Sequence, residues 1–190
     1  MKIALYLGSF NPFHNGHLEV VKTALNDFKM DKVIIVPTMQ NPWKKEKVLD
    51  INKRISIIYT SILWGGFVHK SRYGYKNSLL REWVELSPIE KELIPPYYSY
   101  ATLHALKNKY CNDEIFVLCG EDTIKDIPNW MHGGKIIEDY NFLIVDRPEN
   151  SISSSLIREK VKNKENIDNY VSLIVVDLIK KYYEKEETLL

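Results

Sequence analysis

Residues 2–25 run Lys2-Ile-Ala-Leu-Tyr-Leu-Gly8-Ser-Phe-Asn-Pro-Phe-His14-Asn-Gly16-His17-Leu-Glu-Val-Val-Lys-Thr-Ala-Leu25. The apolar stretch Ile3 to Leu7 is short enough to be a buried strand, and Leu18, Val20, Val21, Ala24 and Leu25 recur at the spacing of one buried helix face. Between them, Gly8 and Ser9 let the chain reverse closely, Pro12 fixes φ in the loop, and Gly16 opens the helix. Amides at a helix start lack intrahelical partners and carry partial positive charge, so a phosphate held there gains both hydrogen bonds and a favourable dipole. His14 and His17 add side-chain donors to the same place. The segment therefore predicts a strand, a phosphate-binding turn and a helix, in that order.

Working outward, further strand signals lie at 32–37, 114–119 and 141–145, separated by helical patterns or long connections. Strands alternating with helices predict right-handed crossovers and a parallel sheet covered on both faces. In such sheets a ligand sits beyond the C-terminal strand ends, where the winding direction reverses. From about Ser154 the chain reads as helix, with Tyr170, Leu173, Ile174, Val176, Leu178 and Ile179 between Ile167 and Tyr183 forming a face packed on the domain. Residues 65–98 are interrupted by Gly65-Gly66, Tyr73-Gly74-Tyr75 and Pro95-Pro96. Leu79 to Leu86 reads as a short helix within that stretch, which is either a substrate-side insertion or an irregular connection. With no internal repeat and no linker, residues 1–190 are expected to form a single domain.

A second phosphate-suited helix start is Ile152-Ser153-Ser154-Ser155-Leu156-Ile157-Arg158. Serines at a helix start offer hydroxyls and amides, and Arg158, one turn in, presents a planar fork to phosphate oxygens. Two such starts, each following a predicted strand, point to nucleotidyl transfer.

These two motifs resemble the HxGH and ISSTxIR signatures of the nucleotidyltransferase superfamily. Looser matches resemble its nicotinate/nicotinamide mononucleotide adenylyltransferase branch: Pro37-Thr-Met-Gln-Asn-Pro-Trp-Lys44, Tyr98-Ser-Tyr-Ala-Thr-Leu103, Gly120-Glu-Asp122, Asp126-Ile-Pro-Asn-Trp130 and Asn141-Phe-Leu-Ile-Val-Asp-Arg147-Pro. The resemblance runs from residue 2 to about 160. It implies an α/β, Rossmann-like doubly wound parallel sheet with helices on both faces and a C-terminal helical segment. It implies adenylyl transfer from ATP to nicotinate mononucleotide in NAD biosynthesis, with Mg²⁺ carried on the ATP phosphates and no metal held by protein side chains. His14, His17 and Arg158 are the implied catalytic residues. ATP is implied to meet Gly8, Ser9, Phe10, Gly16, Lys44, Gly120, Asp122, Ile152, Ser153, Ser154 and Ser155. The pyridine mononucleotide is implied to meet Asn11, Ser99, Trp130, Met131 and Arg147. The chain departs from the family pattern at Trp43, where His is usual, at Gly133, where a second Trp is frequent, and at Ser99, where Thr is usual. Nicotinamide mononucleotide or phosphopantetheine remains open as acceptor, as does a nucleotide-binding regulator without turnover. A cytidylyltransferase is disfavoured, because no RTEGIST-like segment is present.

Composition fits these expectations. A chain of 190 residues supports one substantial core, and 26 Lys and Arg against 25 Asp and Glu give no bias toward a nucleic acid polymer. The longest apolar runs fall far short of a membrane span, and Gly8-Ser-Phe-Asn-Pro interrupts the N-terminal run before any signal-like core develops. The cytoplasm is the expected compartment. Cys111 and Cys119 are too few to staple the fold, and Cys119, ending the run Ile115 to Leu118, is expected as a buried free thiol. Oligomeric state is not legible.

Overall fold

The first strand, β1 (Lys2–Gly8), occupies the centre of a five-stranded sheet, where Ile3, Leu5, Ala4 and Tyr6 are buried on alternating faces. A computed structural model describes residues 1–39, 48–64, 66–71, 74–146 and 152–187. Beside β1 lie β2 (Lys32–Pro37) on one side and β6 (Glu114–Gly120) on the other, both parallel to it. The edges are β5 (Val84–Leu86), paired with β2, and β7 (Asn141–Val145), paired with β6, giving the order β5-β2-β1-β6-β7. A separate antiparallel pair is formed by β3 (Gly66–Ser71) and β4 (Gly74–Leu79).

Helices cover both faces because the strand side chains alternate. On one face Ala4, Tyr6, Val33 and Ile35 pack with α1 (Asn15–Asn26), α2 (Ile51–Leu63), α6 (Ser154–Lys162) and α7 (Val176–Glu187), through residues such as Val21, Ile58, Ile157 and Ile179. On the other, Ile3, Leu5, Ile34 and Val36 pack with α3 (Ser99–Lys109) and α5 (Gly133–Asp139), through Leu103, Leu106 and Ile136. The short helix α4 (Glu121–Asp126) leaves β6 directly. Each fully buried aliphatic side chain contributes about 1.5–3 kcal/mol, so these two layers hold the sheet.

The expected doubly wound sheet and its helical coverage are present. Two expectations are corrected. Leu79 to Leu86 is not a helix: a single 3₁₀ turn at Leu80–Glu82 leads into β5, whose three residues are too few to show any periodicity. The C-terminal segment is not one continuous helix either. It breaks after α6, where Lys164 takes φ 57°, and resumes through a 3₁₀ turn at Leu173–Val175 into α7. Residues 65–98, illegible as sequence, contain the β3–β4 hairpin as well as β5. From β1 the chain winds outward to β2 and β5, then returns to β6 on the opposite side of β1. The winding therefore reverses between β1 and β6, beyond the ends marked by Gly8 and Gly120.

Candidate active site

A cavity of about 620 Å³ opens at that reversal point. Its walls come from the end of β1 and its loop (Gly8, Ser9, Phe10), from His17 on α1, from Ser154 on α6 and from Gly120 after β6. The far wall consists of Tyr97, Tyr98 and Ser99 at the start of α3, with Asp126 at the end of α4 and Asn129, Trp130 and Met131 between α4 and α5. Thus the sheet topology brings together residues 8 and 154, and residues 17 and 130, which are far apart in the chain.

The loop from Ser9 to His14 is tightly specified. Phe10 takes φ 45°, and its ring, 3% exposed, meets Tyr6, Phe13 and His17 edge-on. A Cβ on Gly8 would stand 2.9 Å from the Phe10 ring, so the close turn expected there is real. His14 caps α1 and stacks on His17 with ring centroids 3.7 Å apart, while Phe13 stacks on the His17 ring at 5.3 Å. The His14 backbone N–H donates to His17 Nδ1 at 3.2 Å. A nitrogen that accepts carries no proton, so this bond places the proton of neutral His17 on Nε2 and makes that nitrogen a donor.

The helix start of α1 offers fewer amides than the sequence suggested. The Asn15 N–H donates to the Tyr170 carbonyl at 2.9 Å, and the His17 N–H to the His14 carbonyl at 2.9 Å. The α6 start is built similarly: Ser153 caps it by accepting from the Leu156 N–H at 3.1 Å, and the Ser154 hydroxyl donates to the Pro12 carbonyl at 2.9 Å. Arg158 donates from Nη1 to the Asn11 carbonyl at 2.8 Å and from Nη2 to Ser155 Oγ at 3.1 Å. Both motifs therefore meet on one loop. Gly16 lies under this junction, where an added Cβ would stand 3.1 Å from the His14 ring and 3.6 Å from the Ile152 carbonyl.

Of the sequence-predicted residues, Gly8, Ser9, Phe10, His17, Ser99, Gly120, Trp130, Met131 and Ser154 line the cavity. His14, Gly16, Ile152, Ser153, Ser155 and Arg158 stand behind that wall in the contacts just described. Asn11 departs from its expected place at the acceptor. Its side chain is buried, and Oδ1 accepts from the Leu49 N–H at 3.2 Å and from the Tyr183 hydroxyl at 2.6 Å, which hold it inside the fold. Asp122 is exposed on the first turn of α4 and is not part of the lining, whereas Thr123 is. Lys44 and Arg147 lie outside the described residues. Cys119 is buried and in no disulfide, as expected, and it also borders the cavity.

The sequence reading missed Tyr97, Thr38 and Asp126 as lining residues. Asp126 Oδ2 accepts the Trp130 indole N–H at 2.9 Å, one helical turn away, and that i,i+4 spacing was a readable signal. It also missed Arg54, a helix residue on a mostly apolar face, which is 2% exposed and bonded to loop carbonyls. Among the described residues, no three His, Cys, Asp or Glu side chains cluster as a metal-ion site, and no helix is long and apolar enough to cross a membrane.

A parallel sheet with a two-motif nucleotide loop at its reversal point defines the cytidylyltransferase-like class, whose family model matches residues 5–160. A protein of Fusobacterium nucleatum described as a probable nicotinate-nucleotide adenylyltransferase is 31% identical over 96% of this chain and 99% of its own length. The nicotinate-nucleotide adenylyltransferase of Bacillus subtilis is 29% identical over 97% of this chain and 96% of its own. The chain belongs to the nicotinate-nucleotide adenylyltransferase family. Its fold also matches that of Plasmodium falciparum nicotinic acid mononucleotide adenylyltransferase complexed with NaAD, at a TM-score of 0.72 and 19% identity, covering 96% of this chain and 97% of that one.

Proposed function

We propose that the protein transfers the adenylyl group of ATP to nicotinate mononucleotide, yielding the deamido-NAD dinucleotide and pyrophosphate in NAD biosynthesis, within one domain spanning residues 1–190. The observation that carries this reading is the two-ended cavity. One end holds His17 and Ser154, one from each of the two phosphate motifs, and the other holds Trp130 beside the α3 start. Membership of the family supports the same reaction.

In this reading, an oxygen of the mononucleotide 5′-phosphate attacks the α-phosphorus of ATP in line. The bond from the α-phosphorus to the bridging oxygen breaks, and pyrophosphate leaves with that electron pair. The attacking phosphate is already anionic at neutral pH, so no general base is required. Catalysis then rests on alignment and on donors facing the charge that builds on the phosphate oxygens. His17 supplies Nε2–H, His14 fixes the His17 ring by stacking and by its backbone bond, and Arg158 holds the loop carbonyl at Asn11. Gly8, Ser9, Phe10, Gly120 and Ser154 form the wall around the phosphates and ribose. Mg²⁺ enters as part of the MgATP substrate, held mainly by phosphate oxygens and water because it dehydrates reluctantly.

At the acceptor end, the pyridine ring stacks on Trp130. The Ser99 hydroxyl and the positive end of α3 favour a carboxylate on that ring. One observation favours the amide instead: Asp126, a carboxylate, lines the same end, although its Oδ2 already accepts the indole N–H. Side-by-side assays of pyrophosphate release with ATP and nicotinate mononucleotide, nicotinamide mononucleotide or phosphopantetheine decide among acceptors. The highest kcat/KM is expected for nicotinate mononucleotide. A higher value for the amide would reassign the acceptor and keep the chemistry, whereas turnover of phosphopantetheine alone would move the protein to another branch.

A further inference from the structure

Two charged side chains sit in the interior behind the cavity, and adenylyl transfer as just described uses neither. Arg54, on α2, is 2% exposed and Glu90, in the 3₁₀ turn Ile89–Glu92, is 1% exposed. Arg54 donates to four backbone carbonyls: Nε to Leu49 at 2.7 Å, Nη1 to Ser9 at 2.6 Å and to Thr38 at 2.8 Å, and Nη2 to Met39 at 3.1 Å. Ser9 belongs to the loop after β1, while Thr38 and Met39 follow β2. Those two loops also meet directly, through the Thr38 N–H to the Gly8 carbonyl at 2.9 Å. Glu90 works from the other side. Its Oε2 accepts the Met39 N–H at 2.6 Å, and its Oε1 accepts the Thr102 hydroxyl at 2.7 Å. Thr102 is on α3, whose first residue, Ser99, lines the acceptor end of the cavity.

We propose that Arg54 and Glu90 are positioning residues that fix the spacing between the ATP end and the acceptor end of the cavity. Arg54 grips the phosphate loop and the β2 loop together. Glu90 carries that grip through Met39 to Thr102 and so to α3. This inference rests on the reaction assigned above, since it concerns the alignment of its two substrates.

Neither residue is well explained by stability alone. Burial pushes the Arg54 guanidinium below and the Glu90 carboxyl above their ordinary values, outweighing in each case the attraction to the other charge. Two opposite charges buried near one another add little net stability relative to apolar side chains, although losing one of them is costly. What they do supply is direction. A planar guanidinium meets several carbonyls at once in a fixed fan, which an ammonium on a flexible stem cannot copy.

Arg54→Lys and Thr102→Val test this, the second by removing one hydroxyl from a buried site with almost no change of shape. Three quantities are measured on each full-length variant: thermal unfolding, hydrogen–deuterium exchange, and kcat and KM with MgATP and nicotinate mononucleotide. Exchange is expected to rise at 9–14 and 36–39 in Arg54→Lys, and at 36–39 and 99–102 in Thr102→Val, with β1 and β6 unchanged. A misplacement on the order of 1 Å costs about 100-fold, so kcat is expected to fall by about 10- to 100-fold in Arg54→Lys while either KM moves less than about threefold. A smaller kcat loss of the same kind is expected in Thr102→Val. Unchanged local exchange, or a kcat within about twofold of the parent in folded Arg54→Lys, overturns the proposal. So does a uniform rise in exchange over the whole sheet, which marks a merely structural role. If Arg54→Lys does not fold, Thr102→Val decides alone by the same criteria. A parent protein that releases no pyrophosphate refutes the assigned reaction instead, and the exchange pattern still reads the clamp.

Discussion

At the scale of single residues, His17 shows how a side chain becomes a directed donor. Its ring is gripped between His14 and Phe13, and its Nδ1 is occupied by a backbone N–H, which leaves Nε2–H as the donor. Replacing it by Ala removes the donor and leaves a void among the rings of Tyr6, Phe10, Phe13 and His14. Because the donor matters most as charge shifts on the phosphates, kcat is expected to fall by about 100- to 1,000-fold, with a smaller change in the KM for ATP. Steady-state kinetics showing near-normal kcat with only a raised KM would remove His17 from that role. The His pair was visible in the sequence because its spacing and the preceding turn are local. The Asn11 side chain was not, since its partners, Leu49 and Tyr183, are 38 and 172 positions away. Arg54 was missed for a related reason: an arginine among Ile51, Ile57 and Ile58 looks like a solvated helix residue until the loops it binds are in place.

At the scale of elements, α5 is a case where two adjacent glycines answer to opposite demands. A Cβ on Gly133 would stand 2.0 Å from the Ile127 carbonyl oxygen, a backbone atom that cannot yield without moving the turn that carries Trp130. A Cβ on Gly134 meets nothing within 4 Å. Gly133→Ala is therefore expected to destabilise by roughly 2–4 kcal/mol and to weaken acceptor binding. Gly134→Ala is expected to stabilise by up to about 1 kcal/mol through lower backbone entropy in the unfolded chain. Thermal melts of the two variants check both signs. The same position explains a departure noted in the sequence. Residue 133 packs against backbone, so the second Trp that the family pattern implies at this position has no room. Elements with long periodic patterns, α1 and the central strands, were legible. β5 was not, because three residues at a sheet edge are defined by pairing with β2 and carry no pattern of their own.

At the scale of the whole molecule, a parallel sheet with two covered faces follows from strands alternating with helices, and so a site beyond its C-terminal strand ends was inferable, whereas the strand order was not. What the sequence concealed is how far the C-terminal segment contributes to the site near the N-terminus. Ser154 and Arg158 bind the backbone of Pro12 and Asn11, Tyr170 accepts from Asn15, and Tyr183 holds the Asn11 side chain. These contacts span more than 140 positions, so forming them closes long loops at a cost in chain entropy. The family match ends at residue 160, yet Tyr170 and Tyr183 lie beyond it. Tyr183→Phe removes one hydroxyl from a buried polar pair and leaves Asn11 Oδ1 with only the Leu49 N–H. It is expected to cost roughly 1–2 kcal/mol in stability and to raise the KM for ATP, measurable by denaturant melts alongside kinetics.

That arrangement also has a consequence for synthesis in a cell. A polypeptide leaves the ribosome from its N-terminus at about 5–20 residues per second. The motif at 8–17 therefore emerges many seconds before the tyrosine that pins it. A nascent chain holds both histidines early, but the Asn11 contact that steadies their loop forms only once residue 183 has cleared the exit tunnel, so a chain stalled before that point is expected to bind ATP more weakly than the released protein.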